Sequence, residues 1–123
     1  MIPKPYEWID EYCLAKPGAE KEFKVEWNSV RYLLHGKMFA MLGGDKEGRP
    51  IFSLKLEPEF GEFVRASTPY IIPGYYLNKT HWNSVYLEGD VSNELMREMI
   101  DRSYRLLFES LPKKVQAEIS ENV

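Results

Sequence analysis

Apolar residues recur along the chain in two rhythms, one of period two and one of period three to four, and these divide it into strands and helices. Near the start, Trp8, Ile9, Tyr12 and Cys13 recur at helical spacing, which predicts a helix from about Pro5 to Ala15 ended by Pro17-Gly18. In "FKVEW", Phe23, Val25 and Trp27 alternate with charged residues, the pattern of a half-buried strand. "VRYLLHG" and "KMFAML" read as two more strands joined by a short turn at His35-Gly36. "GGDKEGRP" then reads as a hairpin loop leading into "IFSLKLE", where Phe52, Leu54 and Leu56 form the apolar face and Ile51 and Ser53 the other.

Glu57-Pro58 opens a short predicted helix, "PEFGEFVRA", with Phe60, Phe63 and Val64 on one side. Farther on, Ser84–Glu88 reads as a strand with Val85 and Leu87 inward. Ser92 is placed to cap a long helix whose stripe is Met96, Met99, Ile100, Ser103, Leu107 and Leu111, widened by Leu95 and Leu106. Pro112 opens a last, polar helix with a weak hold on the core. The order of elements predicts an α+β fold, a two-layer sandwich of an antiparallel sheet covered on one face by helices.

Composition narrows the function classes. The 123 residues suit a single domain spanning 1–123, and 44% apolar with 28% charged is ordinary for a globular chain. No run is long and apolar enough for a membrane span, and "MIPKPYEWIDEYC" carries prolines and acids where a leader would need apolar residues. With one cysteine, Cys13, reading as a small core residue, a cytoplasmic location is expected. Cys13, His35 and His81 are too scattered to form a metal site, so neither metal nor cofactor is expected. The glycine-rich loop lacks the Gly-Lys-Ser/Thr ending of a phosphate loop. Net charge is −3 and evenly spread, without the basic run that usually marks a nucleic-acid binder.

The most particular stretch is "PGYYLNKTHWNSVYLEGD", Pro73 to Asp90. Asn78 and Asn83 suit turns and Trp82 can pin the segment to the core, which makes it a structured connection. The same residues also make a contact kit: Lys79 for phosphate, Asn78, Asn83 and His81 for hydrogen bonds, and Tyr75, Tyr76 and Trp82 as flat rings. No nucleophile stands at a recognisable elbow and no carboxylate neighbours His81 in sequence, so an enzyme is not expected.

The run "PGYYLNKTHWNSVYLEG" resembles the signature of the MmcQ/YjbR family, usually described as bacterial DNA-binding proteins. "YCLAKPGAE", "GKMFAML", "SLKLEPE" and "LPKKVQ" match it in family order, over nearly the whole chain. The resemblance implies a fold like that of frataxin-type and secretion-chaperone-type domains. It also implies DNA as partner, with Lys37, Lys55, Lys79, His81 and Trp82 as contacts beside Asn78 and Asn83. A single basic patch would require Lys37, Lys55, Lys79 and Arg31 or Arg49 to converge. The first expectation is therefore a small non-enzymatic DNA-binding protein gripping the phosphate backbone. The alternative is a protein-interaction module of chaperone-like fold, docking a partner on its aromatic loop and sheet face.

Overall fold

A computed structural model of the chain describes residues 6–75 and 77–121. The elements run α1 (Trp8–Leu14), β1 (Ala19–Lys24), β2 (Ser29–Leu34), β3 (Lys37–Gly44), β4 (Pro50–Lys55), α2 (Pro58–Ser67), β5 (Ile71–Pro73), β6 (Trp82–Tyr86), α3 (Asn93–Ser110) and α4 (Lys113–Glu121). The six strands form one antiparallel sheet in the order β1-β2-β3-β4-β6-β5. The α+β architecture expected from the sequence is the one observed.

Register explains which side chains are covered. Phe23, Val30, Leu42, Phe52, Val85 and Ile71 lie in one cross-strand row. Apart from Phe23 and Val30 near the β1 edge, this row is buried, together with Tyr32, Leu34, Ala40 and Leu54. Against them α3 sets Met96, Met99, Ile100 and Leu107, and α1 sets Ile9 and Cys13. The Ser92 side chain caps α3, accepting from the Leu95 N–H at 3.2 Å. Burial pushes the Cys13 thiol well above its ordinary range, as suits an inert core residue.

Ser103 is the polar member of the α3 stripe. A register shift between Tyr32 and Leu33 disturbs the β2–β3 ladder. There the Ser103 hydroxyl donates to the Phe39 carbonyl at 2.5 Å and accepts from the Lys55 N–H at 3.2 Å. A buried serine is thus retained because it serves two backbone groups.

Three expectations need correction. "FKVEW" is not one strand: β1 stops at Lys24, and Val25–Trp27 form a single 3₁₀ turn closed by Asn28 in the left-handed region (φ 46°). On that turn Val25 and Trp27 are 72% and 57% exposed, and Phe23, on the edge strand β1, is 56% exposed, not half-buried. Phe63 is 66% exposed; it stacks on Phe60 at 6.1 Å while Val64 and Gly61 face the core. Packing at Gly61 is close: a side chain there would stand 3.0 Å from the Arg65 guanidinium and 3.1 Å from the Asn83 amide. The sixth strand begins at Trp82, two residues early, because Asn83 pairs with both Leu54 and Pro73. The first helix is described from Trp8 to Leu14, and Pro5 lies outside the described residues. At the β2–β3 turn both His35 (φ 51°) and Gly36 (φ 80°) take positive φ, the pair a tight twisted hairpin demands.

Candidate functional site

The segment between β5 and β6 is held by its own hydrogen bonds. Gly74 donates to the Trp82 carbonyl at 2.7 Å, and a side chain at Gly74 would meet the Trp82 Cβ at 2.7 Å, so only glycine fits. The Asn78 Oδ1 accepts from the backbone N–H of Thr80 (2.9 Å) and His81 (3.3 Å), a side-chain-closed turn. The Lys79 Nζ folds back onto the Gly74 carbonyl at 2.8 Å. The His81 carbonyl accepts from the Leu56 N–H at 2.7 Å and from Asn83 Nδ2 at 3.3 Å, and the buried Asn83 Oδ1 takes a hydrogen bond from Arg65.

Asn78, Lys79 and Asn83 therefore have structural employment. Lys37 is exposed where β3 begins, and Lys55 is half-buried where β4 ends, paired in register with Trp82. Lys37, Lys55, His81 and Trp82 thus share one end of the sheet. Neither lysine makes an ion pair among the described residues. Arg31 lies mid-strand on β2 against Glu22 (2.9 Å), and Arg49 precedes β4 at the opposite end against Asp45 (2.7 Å). Neither arginine joins the lysine end, so the convergence that a single basic patch would require is not complete. Tyr76 lies outside the described residues.

The more prominent concavity is elsewhere, on the sheet face that the helices leave open. A groove of about 400 Å³ is lined by Trp27, Ser29, Met41, Ile51, Tyr75 and Leu77, with Gly43 and Gly44 contributing backbone. Its walls come from two excursions of the chain. The 3₁₀ turn after β1 raises Trp27 on one side. On the other, Tyr75 is tied down at both ends: its N–H donates to Ser84 Oγ at 2.9 Å, and its hydroxyl accepts from the Lys46 N–H at 2.7 Å. Ser84 in turn shares a buried hydroxyl pair with Ser53 at 2.7 Å.

Charges around the groove are mostly paired. Lys24 and Arg31 sit 5.6 and 5.9 Å from the Trp27 ring centre, and each has an acidic partner, Glu26 and Glu22. At the Tyr75 end, the Asp45 Oδ1 accepts from the N–H groups of Glu47 and Arg49, both at 2.9 Å. Burial alone would push the Asp45 carboxyl up, but these bonds and the Arg49 guanidinium outweigh it and hold the group below the usual carboxylate range. Among the described residues, no three His, Cys, Asp or Glu side chains could hold a metal ion, and no helix is long and apolar enough to cross a membrane.

Sequence reading missed this groove because its residues are far apart in the chain. The one local signal was Trp27-Asn28, a large aromatic beside a residue that tolerates the left-handed turn.

A family model described as YjbR matches residues 14–106. The uncharacterized protein YjbR of Escherichia coli (strain K12) is 36% identical over 104 residues, covering 85% of this chain and 87% of that protein. The uncharacterized protein YbdF of Escherichia coli O157:H7 is 35% identical over 72% and 71% of the two chains. Among solved structures, Deinococcus radiodurans protein DR2400 superposes with a TM-score of 0.81 at 30% identity, covering 91% of this chain and 85% of that one. A Pseudomonas syringae protein shares the fold at a TM-score of 0.70 and 22% identity, over 86% and 98%.

Proposed function

The chain belongs to the YjbR family, and on that premise we propose that it is a non-enzymatic protein-interaction module, docking an uncharged segment of a partner protein on the open face of its sheet. The carrying observation is the groove between Trp27 and Tyr75, whose floor is Met41 and Ile51. Trp, Tyr and Met are among the types enriched at the centres of protein interfaces, and Trp27, Tyr75 and Met41 meet here. Pairing of Lys24, Arg31 and Arg49 with acids leaves little field for a phosphate chain and favours a neutral occupant. The test is a photo-crosslinker in place of Val25, on the same 3₁₀ turn as Trp27, with Phe63 on the helical layer as control. Val25 should yield a discrete adduct that Trp27→Ala abolishes, and the identified partner should bind the purified chain. Equal adducts from both sites, or none from Val25, would refute the reading.

Duplex DNA is the second reading, favoured by Lys37 and Lys55, which make no ion pair among the described residues and lie at one sheet end beside Trp82 and His81. Two phosphate contacts predict affinity falling about tenfold between 50 and 200 mM salt. Lys37→Ala and Lys55→Ala should then weaken every duplex sequence alike. Fluorescence anisotropy that detects no saturable binding at low salt removes this reading.

A further inference from the structure

The sheet has two edges, and they are finished differently. β5 is three residues long and ends in Pro73, whose missing N–H removes a donor from that edge. β1 is six residues long, holds no proline, and matches β2 residue for residue without a bulge. Its outer side pairs with no strand among the described residues, and Glu20, Lys21, Glu22 and Phe23 are all exposed. Alternate residues of such a strand turn their N–H and C=O outward, where a further strand extends the ladder.

Charge decides what this edge fits. By register Glu22 stands beside Arg31 in the row that runs on through Met41 and Ser53. Glu20, Glu22 and Lys24 therefore lie on the open face, and Lys21 and Phe23 on the helical one. A second copy related by a two-fold axis perpendicular to the sheet keeps the faces aligned, so each residue meets one from its own face. Only two such registers pair five of the six residues, 19–23 or 20–24. Centred on Lys21, the pairing sets lysine on lysine and Glu20 on Glu22 twice, all like charges directly opposed. Centred on Glu22, it sets Glu20 against Lys24 at both ends, and each central glutamate is already bonded to its own Arg31 at 2.9 Å.

We propose that β1 pairs antiparallel with β1 of a second copy of this chain in the register centred on Glu22, joining two sheets into one. Glu20 makes no ion pair among the described residues, and Lys24 holds Glu26 only at 3.7 Å, so both are free to meet across the axis. On the helical face the same register lays the Lys21 stem along the Phe23 ring of the other copy, covering an exposed aromatic side chain.

The test follows the purified full chain by sedimentation velocity over a concentration series extending into the millimolar range, where a reversible dimer should form. Lys24→Glu should weaken it about tenfold, since each dimer loses two pairs, and adding Glu20→Lys to the same chain should restore it. Glu22→Cys joins position 22 to itself across the axis, at about 4.5–5.5 Å between Cα atoms, and should give a disulfide-linked dimer on mild oxidation. Lys21→Cys, one residue off the axis, should not. The natural Cys13 is buried and does not compete. A chain that stays monomeric overturns the proposal. So does a dimer indifferent to Lys24→Glu, or one that Lys21→Cys links and Glu22→Cys does not. Should Glu22→Cys fail to fold, the charge reversal and its restoration decide. β2 separates this edge from the groove floor on β3 and β4, so either result leaves the docking reading to its own test.

Discussion

The two faces of the sheet obey the same alternation yet end differently. On the helical face, Phe52, Leu54 and Val85 are fully covered, and polar groups such as Asn83 are satisfied within the fold. On the open face, Met41 stays half-exposed, Ile51 lines the groove, and Ser29 is buried without a partner among the described residues. One face has been closed by α3 and α1. The other is roofed partly by the Tyr75 segment and left open beside Trp27. Both faces pair most of their polar groups, Ser53 with Ser84 on the open one, so the difference between them lies in how far each is covered.

The contrast can be broken most forcefully from the helical side. Phe52→Ala removes a fully buried ring and should cost about 3–5 kcal/mol in urea unfolding. A cost under about 1 kcal/mol would mean that this face is not the core. Next in size, Ser103→Ala strands the Phe39 carbonyl and Lys55 N–H, and should cost about 1–3 kcal/mol with little change in m.

Acid should act on both faces more gently. Burial pushes the Asp10 carboxyl up, but hydrogen bonds from Lys21 and Tyr32 and the Lys21 charge prevail and lower it; Asp45 is lowered as well. A lowered folded pKa gives stability that is present above the unfolded value, about 4, and lost as pH falls through the folded one. Tm should therefore be flat from pH 7 to about 5 and fall below about 4, less steeply in Asp10→Asn. Asp45 holds the turn that donates the Lys46 N–H to Tyr75, so the Lys46 amide should shift over the same range. Smallest in stability is Trp27→Ala, within about 0.5 kcal/mol because the ring is 57% exposed. The same change should cost partner binding about 2 kcal/mol or more, as a central interface tryptophan does.

Much of this architecture was legible in the sequence. The α3 stripe, the Ser92 cap, the hairpin at His35-Gly36 and the Phe52-Leu54-Leu56 face each follow from local period and turn chemistry. Where periodicity failed, a local geometry had overridden it. Asn28 in the left-handed region closes a 3₁₀ turn that carries Val25 and Trp27 off the strand, and in α2 the buried positions are Gly61 and Val64 while Phe63 stays exposed. The three-residue β5 was too short to register as a pattern. The candidate site was less legible, since Asn78, Lys79 and Asn83 look the same in sequence whether they bind a ligand or their own loop. Trp27, Met41, Ile51 and Tyr75 come from four separate segments that only the sheet brings together.

The most direct test of the central claim is an amide perturbation map of the labelled chain titrated with the partner captured beside Trp27. The account predicts shifts clustered at Ser29, Met41, Gly43 and Ile51, with α3 silent. A cluster at the Lys37 and Lys55 end, or on α4, would contradict it.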